Sequence, residues 1–212
     1  MVERKTKEKT ENPKSAKGFY HFIKQAWKKP DKKTLRERMV EWRKSEVFTK
    51  VEKPLRLDKA RALGYKAKKG FVVIRVRIKR GGHKRPRPNK GRRSKRLHTR
   101  KNLKMSYKWI AEQRVERKYP NLVVLNSYPI GKDGISYFFE VICVDSQRPE
   151  IQNDKTINWV CKPGNTKRTM HGVTSAGKKS RGLRDKSPTN KNRPSRTKSS
   201  LRKSKRPKRK KQ

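Results

Sequence analysis

FVVIRVRIK, residues Phe71 to Lys79, alternates apolar and cationic side chains. Val72, Ile74, Val76 and Ile78 fall on one side and Arg75, Arg77 and Lys79 on the other, the two-residue period of a strand. The run reads as a half-buried strand with a cationic outer face. Toward the C-terminus, two apolar strands are expected at about Leu122 to Tyr128 and Ser136 to Val144. Between them Gly131, Lys132, Asp133 and Gly134 suit a hairpin loop over 129–135. Trp159 and Val160 read as a last edge. Toward the N-terminus, Phe19, Phe22, Ile23, Ala26 and Trp27 form a helical stripe that predicts a helix over 19–29, ended by Pro30. A second helix, over 35–48, is expected from a capping box of Thr34 and Glu37, with Leu35, Met39 and Trp42 on one face. A third, over 106–119, carries Tyr107, Ile110, Ala111 and Val115 and stops at Pro120.

Charge dominates everything around these elements. The 212 residues include 65 Lys or Arg against 17 Asp or Glu, a formal net charge of +48, and only 29% are hydrophobic. One modest core is the most such a chain is expected to bury. No uncharged run is long and apolar enough to cross a bilayer, and the opening MVERKTKEKTENPK has no apolar stretch of the secretory kind, so a place inside the cell is expected. Two cysteines, Cys143 and Cys161, fit a reducing compartment. Residues 59–111 hold 21 basic side chains and no acidic one, whereas residues 112–154 hold 5 basic and 7 acidic ones together with the densest apolar runs. The first segment needs an external polyanion; the second marks the core. Residues 80–104 and 184–212 have almost nothing apolar, so both are expected to lack structure without a partner.

Fragments suggestive of catalysis do not hold together. Gly172, Gly177 and Lys178 match part of a P-loop, but the next position, which must be Ser or Thr to hold magnesium, is Lys179. A basic loop that touches phosphate is the reading retained. Cys143 in an apolar strand and Cys161 beside Trp159 read as structural thiols, since a closed zinc site needs four ligands. His21, His83, His98 and His171 are dispersed, and no nucleophile and base can be paired. No enzyme, metal or cofactor is expected.

The positive signal is the cationic strand face joined to an acid-free loop. Arg75, Arg77 and Lys79 project about 6.6 Å apart, close to the phosphate spacing of an RNA strand. Arg80, Arg85, Arg92, Arg93, Arg96 and Arg100 offer planar forks for phosphate, and Gly81, Gly82 and Gly91 allow close backbone approach. The cationic strand carries no aromatic for base stacking, and neither zinc-finger spacing nor a recognition-helix pattern is present, so backbone and shape recognition of folded RNA is expected. A DNA-compacting chromosomal protein is the alternative; it would offer a dimer face or a repeated unit, and neither is visible.

DKARALGYKAKKGFVVIRVRIKRGGHKRP at 58–86, GRRSKR at 91–96, VLNSY at 124–128, FFEVICVD at 138–145 and GVTSAGKKSRGL at 172–183 together resemble, in order, large-subunit ribosomal protein fifteen of the archaeal and eukaryotic type. GRRSKR is closer to the archaeal version. The resemblance implies an α+β fold, a small antiparallel sheet with helices packed on it. It also implies a structural role in the cytoplasmic ribosome, one copy per particle, against large-subunit ribosomal RNA and neighbouring ribosomal proteins, with no membrane. The expected division is a basic extension over 1–17, a domain over 18–183 whose loop 80–104 binds RNA, and a basic tail over 184–212. Tyr65, Lys66, Lys68, Lys69, Lys84, Arg87, Lys95, Lys101, Lys178, Lys179 and Arg181 complete the candidate RNA contacts.

Overall fold

The computed structural model describes residues 18–83, 86, 89–91 and 102–184. Its centre is a four-stranded antiparallel sheet, β1 (Phe48–Val51), β2 (Phe71–Lys79), β3 (Leu122–Lys132) and β4 (Ser136–Asp145), in the order β1-β2-β4-β3. The helices among the described residues are α1 (Phe19–Lys28), α2 (Lys32–Lys44), α3 (Leu57–Ala62), α4 (Tyr107–Lys118), α5 (Pro149–Gln152) and α6 (Ser175–Ser180). The fold is α+β.

Helices cover both faces of the sheet, because β4 is apolar on both of its sides. Phe138, Ile142 and Val144 join Trp42 of α2, Ala60 of α3 and Ile151 of α5 in one core. Phe139, Val141 and Cys143 join Ile74, Val76 and Ile78 of β2 and Ala111 and Val115 of α4 in the other. The expected single core is therefore two. The face of β2 read as outward is also corrected. Val73 is buried on it, the Arg75 guanidinium lies 5.6 Å above the Trp42 ring and donates to Ser45 Oγ at 3.4 Å, and Arg77 donates to the Arg43 carbonyl. A guanidinium on a long stem can lie flat on an aromatic ring, so an Arg/apolar alternation does not guarantee solvent on the Arg side.

Other boundaries shift for local reasons. The Asp31 side chain accepts from the Lys33 and Thr34 amides, so α2 starts at Lys32 and the Thr34–Glu37 capping box does not form. Ser45 ends this helix before β1. The strands of the β3–β4 hairpin run on to Lys132 and from Ser136, and Asp133 Oδ1 accepts from the Ile135 amide at 2.8 Å to close the turn. Pro129 is accommodated by a register shift between Pro129 and Gly131. At Gly131 a Cβ would lie 3.1 Å from the Trp42 ring, so a larger residue there would press on that ring. Residues 158–161 form a 3₁₀ turn rather than an edge strand, Val160 being drawn into the first core.

Candidate nucleic-acid interface

With both faces of the sheet covered, the cationic side chains meet at its edge. The β1 register ends at Phe48 opposite Val76, and the Arg77 amide donates to the Val47 carbonyl at 3.1 Å. Strand alternation turns the Lys79 N–H toward the same edge, which no strand covers among the described residues. A cavity of about 420 Å³ opens there, lined by Arg43, Val47, Arg77, Lys79, Arg114, Ile135 and Ser136. Four cations from α2, β2 and α4 thus converge. The acid beside them is Asp133, with its Oδ2 3.9 Å from Arg43. Arg43 and Arg114 are absent from the sequence-derived set. They lie 71 positions apart in ordinary helical stretches, and only the packing of α2 and α4 on opposite faces brings them to one edge.

The root of the basic loop is anchored beside this cleft. Arg80 donates to the Asp133 carbonyl at 2.8 Å and lies 5.2 Å from the Tyr137 ring centre. Gly81, at φ 118°, donates its amide to the Tyr107 hydroxyl, which donates in turn to the Gly81 carbonyl. Gly82 is exposed. Lys84, Arg85, Arg87, Arg92, Arg93, Lys95, Arg96, Arg100 and Lys101 lie outside the described residues, as does the 92–101 stretch of the loop expected to order on RNA.

Part of the candidate set is engaged within the protein. Lys66 and Lys68 both reach Asp154 Oδ2, at 2.8 and 2.6 Å, and Lys68 also donates to the Glu150 carbonyl. These lysines, with Thr156, hold the Asp154 carboxyl well below the usual carboxylate range. Tyr65 packs edge-on against Phe71, with ring centres 5.9 Å apart. Lys69 is exposed.

The segment from Thr169 is held to α4 by buried acids. Glu112 accepts from Ser127 and Thr174, both at 2.6 Å, and Glu116 accepts from the Thr169 hydroxyl and the Met170 amide. Burial pushes the Glu112 carboxyl up, against the opposing effect of these bonds and of Lys108. Docked in this way, α6 leaves Lys178, Lys179 and Arg181 on the surface. The P-loop-like glycines serve packing: a Cβ on Gly177 would lie 2.7 Å from Gly172 Cα, so the two backbones touch.

Burial raises the Cys143 thiol far above its ordinary range, which suits a structural role. No group of three or more His, Cys, Asp or Glu that could hold a metal ion occurs among the described residues. No helix among them is long and apolar enough to cross a membrane. A protein-family model described as Ribosomal L15 matches residues 18–201.

Proposed function

Since the chain belongs to the ribosomal L15e family, whose members are structural, non-enzymatic constituents of the large ribosomal subunit, we propose that it binds ribosomal RNA chiefly through phosphates and stiffens the RNA during subunit assembly. The convergence of Arg43, Arg77, Lys79 and Arg114 on the uncovered edge of β2 carries this reading. An RNA backbone presents phosphates at a spacing that such cations can meet, and two planar guanidinium forks from different helices favour a fixed path over diffuse attraction. From the cleft, Arg80 and Gly81 lead into the basic loop. We assign that loop, Lys69, and Lys178, Lys179 and Arg181 on α6 and just beyond it to further phosphate contacts. Lys66 and Lys68 hold Asp154 instead. The protein acts as one copy per subunit.

The test is sedimentation of the native protein together with salt-dependent binding to large-subunit ribosomal RNA. The protein is expected with large subunits, leaving them only at high salt. Arg43→Ala combined with Arg114→Ala should lower the slope of log affinity against log salt by about 1.4 to 1.8, the contribution of two released phosphate contacts. Recovery of the protein on chromosomal DNA rather than on ribosomes would overturn the reading.

A further inference from the structure

On the far side of the first core lies a cavity of about 380 Å³ whose polar groups are unlike those of the cationic cleft. Its wall includes Trp159, Arg168, Asn126, Lys66, Thr156 and Gly64. Trp159 keeps 37% of its surface exposed, and the Arg168 guanidinium lies over its ring at 4.6 Å. Two flat groups are therefore stacked at the cavity wall. The backbone departs from regularity on both sides of them. The β3–β4 register shifts between Val124 and Asn126, a bulge that re-aims the Asn126 side chain, and Lys167, next to Arg168, is held at φ 54°, a conformation a non-glycine residue avoids. Asn126 Oδ1 and Arg168 Nε are buried without a hydrogen-bond partner among the described residues. Buried polar atoms are almost always paired, so two orphans on one cavity wall point to an outside partner. Beside Gly64, at φ 99°, the space a Cβ would occupy is open.

We propose that this cavity receives one unstacked base of ribosomal RNA. A base lies flat against the Trp159–Arg168 stack, as bases do on aromatic rings and guanidinium planes. The Asn126 amide, at the cavity wall, meets its polar edge. Arg168 gives the cavity a cationic wall suited to the attached phosphate. The proposal rests on the reading that the ligand is ribosomal RNA, and it adds base contact to a protein otherwise organised around phosphates.

The experiment compares full-length wild type with Trp159→Ala, Trp159→Phe and Asn126→Ala. Each is titrated with large-subunit ribosomal RNA and, separately, with heparin, a polyanion that has no bases. Trp159→Ala should weaken RNA binding roughly 5- to 150-fold, the affinity of one stacked base. The salt slope and heparin affinity should stay at wild-type values. Trp159→Phe should recover most of the loss, and Asn126→Ala should weaken RNA alone, by about 2- to 12-fold, as loss of one hydrogen bond does. Thermal melting reports whether each variant folds; should Trp159→Ala not fold, Asn126→Ala decides. RNA affinities that match wild type, or equal losses on RNA and heparin, would overturn the base pocket and leave the phosphate reading in place. Failure of wild type to bind this RNA would instead remove the reading beneath it.

Discussion

Replacing Arg75 by Glu separates the sheet as the sequence suggests it from the sheet as it is built. On a solvent-facing strand side the change would reverse a surface charge and leave stability within about 0.5 kcal/mol of wild type. In the structure Arg75 is the cross-strand partner of Glu140, which is 1% exposed, and sits against Trp42. The Arg77 amide points to β1, so Arg75 and Glu140 form a non-hydrogen-bonded pair, the closer of the two pair types. The substitution removes a cation–π contact of about 0.5 to 2 kcal/mol. It also withdraws the cation facing a buried carboxylate and sets a second carboxylate beside it, a class of change that costs about 3 to 5 kcal/mol. A loss of about 4 kcal/mol is expected, a large part of the roughly 5 to 15 kcal/mol that holds a domain together. Urea unfolding followed by circular dichroism at pH 7 measures it. Arg75→Met, which keeps most of the volume, should lose about half as much, and Lys79→Glu should stay within about 0.5 kcal/mol. The Arg75→Glu deficit should shrink as pH falls, since burial already raises the Glu140 carboxyl and one carboxylate of the pair takes up a proton. If this variant matches wild type in stability and only RNA affinity falls, Arg75 is an outward cation and the two-sided packing of β2 is wrong.

Glu112→Gln should flatten the pH dependence of stability. Burial raises the folded-state pKa of Glu112, so its contribution is complete below the unfolded value of about 4.3 and is lost as pH rises through the folded value; thermal melts from pH 4 to 8 should show wild type falling more steeply than the variant. Gly177→Ala should destabilise by about 1 to 3 kcal/mol despite the better helix propensity of Ala, since the new methyl meets the Gly172 backbone at 2.7 to 3.0 Å; a higher melting temperature would refute that contact. Asp154→Asn should release Lys66 and Lys68 and strengthen RNA binding, read as a steeper salt slope, whereas weaker binding would mean that the ion pairs position both lysines for phosphate.

The legible parts of the fold are those whose pattern is local. The alternation of β2, the stripe of α4 and the apolar run of β4 each declare their element, because a side-chain period of two or 3.6 needs no knowledge of the partner. What lies over a strand is a different matter. Nothing in FVVIRVRIK says that Trp42 will cover Arg75, for that contact is set by how α2 crosses the sheet. β1, at four residues, and α3 and α6, at six each, are too short to build a period. The site divides in the same way. Arg77 and Lys79 stand out within one strand, whereas Arg43 and Arg114 become partners only across three layers. Lys66 and Lys68 look like phosphate ligands until the chain returns 88 and 86 residues later with Asp154.

The buried carboxylates of Glu112, Glu116 and Glu140 have a kinetic consequence. Folding turns these acids inward, while the cations of the sheet edge, the α6 segment and Lys69 remain outside. A diffusing polyanion therefore meets a particle whose field is smoother and more uniformly attractive than its composition suggests. Encounter with such a surface approaches the electrostatically steered limit, orders of magnitude faster than neutral docking at low salt. On the proposed RNA-binding reading, capture is then rapid for any nucleic acid, and selectivity comes from the slower search that follows, in which only a strand of the right shape settles against the edge of the sheet.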